Sequence, residues 1–175
     1  MSKVLQRRLG AAGDFSLGET TALALAVAAG DLGSVFERLF RRYGLTHTRY
    51  NVLRILRGAG EAGLPQAAIG ERLLMPSPDV TRLIDRLVES DWVERNRAET
   101  DRRVVIHRLT AAGRSLLDSM EDPLAEIHGS LIEVLGEARA RRLAGDCESV
   151  IAAIGEGKLR LPGSAEAARK ESDDG

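Results

Sequence analysis

Apolar residues recur along this chain with two different periods. Leu32, Val35, Phe36, Leu39 and Phe40 fall at i, i+3, i+4, i+7 and i+8, the stripe of an amphipathic helix. Ser16 and Glu19 have capping-box spacing and predict its start near residue 17. Gly30 and Gly33 weaken it locally, and Gly44 suits the position just past its end. Thr46 can cap a second helix carrying Tyr50, Leu53 and Leu56. The segment GAGEAGLP, 58 to 65, reads as a loop. Pro65 stands near the first position of a short third helix, about 66 to 73, with Ile69 and Leu73 inward. LLMPSPD is then a turn. Ser77 as N-cap, Pro78 and Asp79 start a fourth helix with a stripe of Val80, Leu83, Ile84, Leu87 and Val88. Its other face carries Thr81, Arg82, Asp85, Arg86 and Glu89.

The helical period stops there. Trp92 to Asn96 and Arg103 to Leu109 read as short strands joined by the Arg97–Asp101 loop, a hairpin. Thr110 caps a long apolar-striped stretch with Leu116, Leu117, Met120, Leu124, Ile127, Leu131 and Leu135, which Pro123 should kink or split. Gly136 punctuates, and a last helix over about 137 to 154 carries Leu143, Val150, Ile151 and Ile154. The expected fold is mainly α with a small β-hairpin: a winged helix-turn-helix flanked by N- and C-terminal helices. The expected divisions are an arm without sustained periodicity (1–15), an N-terminal dimerisation helix (16–44), the winged helix-turn-helix (45–110), C-terminal dimerisation helices (111–154) and a disordered Gly-, Ala- and charge-rich tail (155–175). The outer helices have more apolar positions than so small a core can cover, which predicts a second copy of the chain as partner.

Composition narrows the function classes. Aromatics are 3% of the 175 residues, so the 43% hydrophobic content must build an aliphatic core, which favours packed helices over a sandwich. The formal net charge is −1, so any nucleic-acid reading must rest on local charge. Cys147 stands alone and cannot form an intramolecular disulfide or a multi-Cys zinc site. No apolar run reaches the roughly 20 residues that span a bilayer. The basic N-terminus lacks the long apolar stretch of a signal peptide, so a cytoplasmic protein is expected. His47, His107 and His128 are dispersed, and neither metal nor cofactor is expected. There is no Gly-rich phosphate loop, nucleophile elbow or HExxH, so no enzyme is expected.

A helix, a tight turn and a second helix followed by a basic hairpin is a way to hold one helix in a DNA groove. Ser77, Asp79, Thr81 and Arg82 lie at the start of that helix, placed for base edges or phosphates, and Arg86 lies one turn beyond Arg82. Alternatively, Arg82–Asp85 and Arg86–Glu89 simply pair at i, i+3. The hairpin adds Arg95, Arg97, Arg102 and Arg103. From Arg82 to Arg108 the charges nearly cancel, with Arg at 82, 86, 95, 97, 102, 103 and 108 against acids at 85, 89, 91, 94, 99 and 101. Residues 36 to 57 are more basic, with Arg38, Arg41, Arg42, Arg49, Arg54 and Arg57 against Glu37; Arg49 and Arg54 can face phosphates or a dimer contact. Near-neutral charge leaves open a winged helix that binds a protein instead of DNA.

In order and spacing, LTHTRYNVL (45–53), VTRLIDRLV (80–88), WVER (92–95), DRR (101–103) and LTAAG (109–113) resemble the MarR family of bacterial transcriptional regulators, from about Leu45 to Leu135. The resemblance implies a winged-helix homodimer that binds a pseudo-palindromic operator in double-stranded DNA, usually represses, and is relieved by a small-molecule effector or an oxidant. It places Arg102 at a position that commonly enters the minor groove, with Asp101 holding a wing Arg extended. It also implies an effector pocket between the dimer helices and the DNA-binding lobe, whose lining here would include Phe36, Phe40, Tyr50 and Met120, although these are equally the residues of an ordinary core. Two departures stand out. Asp91 occupies a position where the family often has Gly. No Cys lies near the N-terminal helix, where the peroxide-sensing branch carries its thiol.

Overall fold

The computed structural model describes residues 3–10, 15–75, 77–97 and 103–159, and the chain divides into two compact units, 1–121 and 122–175. The first contains α1 (Lys3–Leu9), α2 (Leu17–Arg42), α3 (His47–Ala59), a 3-10 turn (Gly60–Ala62), β1 (Leu64–Pro65), α4 (Gln66–Glu71), α5 (Val80–Glu89), β2 (Val93–Arg97), β3 (Val105–Leu109) and α6 (Ala111–Asp118). Residues 3–9, expected within an aperiodic arm, are helical, and Arg8 of α1 pairs with Asp31 of α2 at 2.6 Å.

The capping chemistry sets most boundaries. At the start of α2 the Glu19 backbone N–H donates to Ser16 Oγ at 3.2 Å, and the Ser16 N–H donates back to the Glu19 carboxylate at 2.9 Å. The Ser16 N–H on its carboxylate, helped by the Ser16 hydroxyl, holds the Glu19 carboxyl below its ordinary value. The other end of α2 closes as a Schellman motif: Leu45 N–H donates to the Phe40 carbonyl and Gly44 N–H to the Arg41 carbonyl, with Gly44 at φ +70°. Thr46 then caps α3 through the Arg49 N–H at 3.3 Å.

α5 ends with the same motif. Trp92 N–H donates to the Leu87 carbonyl at 3.0 Å and Asp91 N–H to the Val88 carbonyl at 2.9 Å. The left-handed residue here is Asp91, at φ +58°, the one non-glycine with positive φ among the described residues. The corner that the family often builds with Gly is thus preserved with Asp.

Three strands, not two, make the sheet. Its order is β1-β3-β2, all antiparallel, with Leu64 opposite His107, Val93 opposite Leu109 and Arg95 opposite His107. The stretch expected to be a plain loop at 58–65 therefore supplies an edge strand, and Pro65 serves as the N-cap of α4 instead of lying inside it. Pro at the end of an edge strand removes no ladder donor that a neighbour needs. α3 lies at the centre of the unit. Its Val52, Leu53 and Leu56 are buried, together with Ile69 of α4, Ile84 and Leu87 of α5, and Leu117 of α6. Thr110 caps α6 through the Gly113 N–H at 3.0 Å and donates its hydroxyl to the Asp91 carbonyl at 2.6 Å. Gly113 is required by closeness: a Cβ there would overlap the Trp92 carbonyl.

The long stretch after Thr110 is split at Ser119–Met120. α7 (Glu121–Leu135) follows, with Pro123 in its first turn, where a missing N–H does no harm. In the second unit α7 gives way at Gly136, φ +73°, to α8 (Glu137–Gly155). Leu131, Ile132 and Val134 of α7 and Leu143, Val150, Ile151 and Ile154 of α8 are exposed, and Cys147 is half-buried on α8.

Candidate nucleic-acid interface

The helix expected to start at Ser77 starts instead after Asp79. The Asp79 carboxylate accepts the Arg82 N–H at 3.0 Å, and Val80 is the first helical residue. Ser77 and Asp79 both suit an N-cap. An ionised carboxylate is the better match for the positive end of a helix, and it prevails. Ser77 is left half-buried in the turn, and the turn itself is fixed where Leu74 N–H donates to Asn51 Oδ1 at 2.9 Å.

On α5, Thr81, Arg82 and Arg86 are exposed. The Thr81 hydroxyl accepts from Gln66 Nε2 of α4 at 2.7 Å, which ties the two helices together at the start of α5. Arg82 and Arg86 line a cleft of about 250 Å³ with Ser77, Asp79 and Leu83, and its other wall is the first turn of α3: Thr46, Thr48 and Arg49. Three Arg and a single Asp thus line one cleft, and the Asp carboxylate caps α5. Charge counted along 82–108 nearly cancels, but the fold adds Arg49 from a segment thirty residues upstream. Thr48 and Gln66 carry no expectation from the sequence and Thr46 only that of a helix cap; the run of hydroxyls and Arg in THTR is the available signal.

Several of the other Arg are occupied. Arg57 bridges to Glu121 at 2.8 Å and Asp118 at 3.6 Å, and Arg41 lies 3.6 Å from Glu37. Arg54 donates to the Tyr50 hydroxyl at 3.2 Å and lies 6.0 Å from its ring centroid. In the wing, Arg97 and Arg103 are exposed, and Arg95 pairs with Asp85 of α5. The ion pair of Asp85 is thus with the strand, not the i, i+3 pair with Arg82. Asp101 and Arg102 lie outside the described residues.

His107 faces the interior from the central strand, 3% exposed, with its Nδ1 3.4 Å from the Leu64 carbonyl oxygen. Burial pushes its imidazole below its ordinary value; the Leu64 carbonyl opposes the shift and the Arg95 cation adds to it.

Of the residues expected as effector lining, Phe36, Phe40 and Tyr50 stack in a row, and Met120 is buried. The Phe40 ring stacks on Tyr50 at 4.3 Å and on Phe36 at 6.1 Å, and Phe40 and Met120 are 1% and 0% exposed. Space lies elsewhere in this unit. An open cavity of about 650 Å³ between α1 and α2 is lined by Leu5, Ala24, Val27 and Ala28 together with Arg7, Arg8, Thr20 and Asp31. No described helix is long and apolar enough to cross a membrane.

Residues 43–104 match the model of the MarR family. The chain is 32% identical over 116 residues to the HTH-type transcriptional regulator MhqR of Bacillus subtilis, covering 66% of this chain and 78% of that protein. Among solved structures it resembles a MarR transcription factor from Planctomyces limnophilus, with 33% identity, a TM-score of 0.58, and coverage of 82% of this chain and 98% of that one. It also resembles the transcriptional repressor CouR bound to a 23-mer DNA duplex, with 25% identity, a TM-score of 0.67, and coverage of 79% and 99%. The match to the family model and the likeness to these relatives show that the chain belongs to the MarR family of transcriptional regulators.

Proposed function

We propose that the chain binds a pseudo-palindromic operator in duplex DNA as a homodimer and represses transcription until a small-molecule effector binds. The observation that carries this reading is the convergence of Arg49, Arg82 and Arg86 at the shared mouth of α3 and α5. In this reading α5 enters the major groove. Arg82 reads a base edge, and Arg49 and Arg86 hold phosphate. Arg97, Arg103 and the D-R-R motif serve the wing. Thr81 and Asp79 act by fixing the helix start, since both side chains already have partners. The exposed apolar positions of α7 and α8 are the surface that a second copy covers. A small apolar effector has room in the α1–α2 cavity, whereas Phe36, Phe40, Tyr50 and Met120 serve as packing.

The test is fluorescence anisotropy on duplex from upstream of the chain's own gene, at about 0.15 M salt, with scrambled duplex as competitor. Selective binding is expected. Arg49→Ala should weaken binding to every duplex and make the slope of log K against log salt shallower by about 0.9, the share of one phosphate. Arg82→Ala should relax selectivity at one base pair by about 1–3 kcal/mol. Equal affinity for scrambled duplex would favour the protein-partner reading.

A further inference from the structure

We infer that Asp85 is a specificity determinant: it holds Arg95 on the recognition helix and keeps that cation off the DNA backbone. The inference rests on the DNA reading above and departs from the expectation that Arg95 contacts DNA.

The pairing follows from strand register. Val93 and Arg95 are two residues apart on β2 and share a face. Val93 is buried, and the β3 residues opposite them, Leu109 and His107, are buried as well. β2 lies against α5, and Arg95 reaches from its strand to Asp85 of that helix. Glu94, on the other face, stands opposite Arg108, which is itself tied to the Glu61 carbonyl at 2.6 Å. Asp85 has Arg82 one turn behind it and Arg86 beside it on α5, yet its ion pair is with the strand. Side chains hold α5 from different directions: Asp79 caps its start, Gln66 reaches it from α4, and Arg95 from the wing.

Both side chains of the Asp85–Arg95 pair remain 42% exposed. A phosphate could therefore reach Arg95, and Asp85 is its intramolecular competitor. A cation on phosphate raises affinity for every duplex and carries no sequence information. A cation held by Asp85 instead sets the angle between helix and wing. The near-neutral charge of this motif then has a purpose: it keeps non-operator binding weak.

The experiment measures affinity for operator and for scrambled duplex across a salt series, for wild type, Asp85→Asn, Asp85→Glu and Arg95→Gln, with circular dichroism to confirm folding. Asp85→Asn is expected to raise affinity for scrambled duplex, to steepen the salt slope by about 0.9, and to lower the operator-to-scrambled ratio several-fold. Asp85→Glu should restore the wild-type slope. Arg95→Gln should lower the ratio without steepening the slope, because no cation is released. If Asp85→Asn keeps the wild-type slope and ratio, the inference is overturned. It is equally overturned if Asp85→Asn and Arg95→Gln lower the ratio alike with unchanged slope, since the pair would then be structural only. If wild type itself shows no salt-dependent duplex binding, the DNA reading fails first and takes the inference with it.

Discussion

Replacing Asp91 with Gly and, separately, with Ala tests the corner between the recognition helix and the wing. Asp91 stands at φ +58° with its side chain exposed. Its backbone does the work: its N–H bonds the Val88 carbonyl at 2.9 Å, and its carbonyl accepts the Thr110 hydroxyl at 2.6 Å. Both substitutions keep those groups, so the difference between them isolates conformation. A left-handed Ala costs roughly 1–2 kcal/mol. Gly avoids that strain but loses more chain entropy on folding, by roughly 0.5–1 kcal/mol. Gly should therefore be more stable than Ala by about 0.5–1 kcal/mol, with Asp between them because short polar side chains tolerate this region. At a chain length of 175 residues that difference corresponds to roughly 1–4 °C in Tm. Thermal and urea unfolding at one fixed protein concentration would measure it, with the urea m-value required to stay constant. In an ordinary helical position the order is reversed, Ala being favoured over Gly by about 1 kcal/mol. Ala as stable as Gly, or more so, would refute the left-handed assignment and with it the Schellman closure of α5.

Three further expectations use the same unfolding assays or chromatography. Gly113→Ala should destabilise by about 1–3 kcal/mol, because the added methyl is driven into the Trp92 carbonyl, whereas Gly129→Ala in open space on α7 should be neutral or gain up to about 1 kcal/mol; equal effects would contradict the close approach. Stability should fall as pH drops below about 6.5, since the unfolded chain then protonates His107 while burial keeps the folded imidazole neutral to lower pH; above that value both states are neutral and the contribution is fully present. His107→Gln should flatten that part of the pH profile, and a profile parallel to wild type would count against it. Truncation after Leu135 should give monomer or insoluble protein by size-exclusion chromatography, and a soluble dimer would rule out α8 as part of the partner surface.

The helical frame was legible because each boundary is written in adjacent residues. Ser16 with Glu19, Thr46, Thr110 and Gly136 act within one turn, so spacing alone locates them. β1 was not legible. Leu64 and Pro65 show no alternation, and their hydrogen bonds come from β3, more than forty residues away. The start of α5 was ambiguous for a different reason: Ser77 and Asp79 both fit the cap, and the choice depends on the strength of the acceptor. At the candidate site, the cationic group spans α3 and α5, so a count along the motif could not find it. The orientation of Arg95 could have been found: counting by twos from Val93 puts it on the buried face. Its partner on α5 required the fold.

One hydroxyl joins two helices end to end. Thr110 accepts the Gly113 N–H that begins α6 and donates to the Asp91 carbonyl that terminates α5. Its own N–H bonds the Trp92 carbonyl at 3.2 Å, the group against which Gly113 is pressed. The joint has little play, because neither helix end can swing without breaking a short hydrogen bond or forcing backbone into backbone. α6 and α5 thus share one joint, and a tilt imposed on α6 is expected to reach the helix proposed to read DNA.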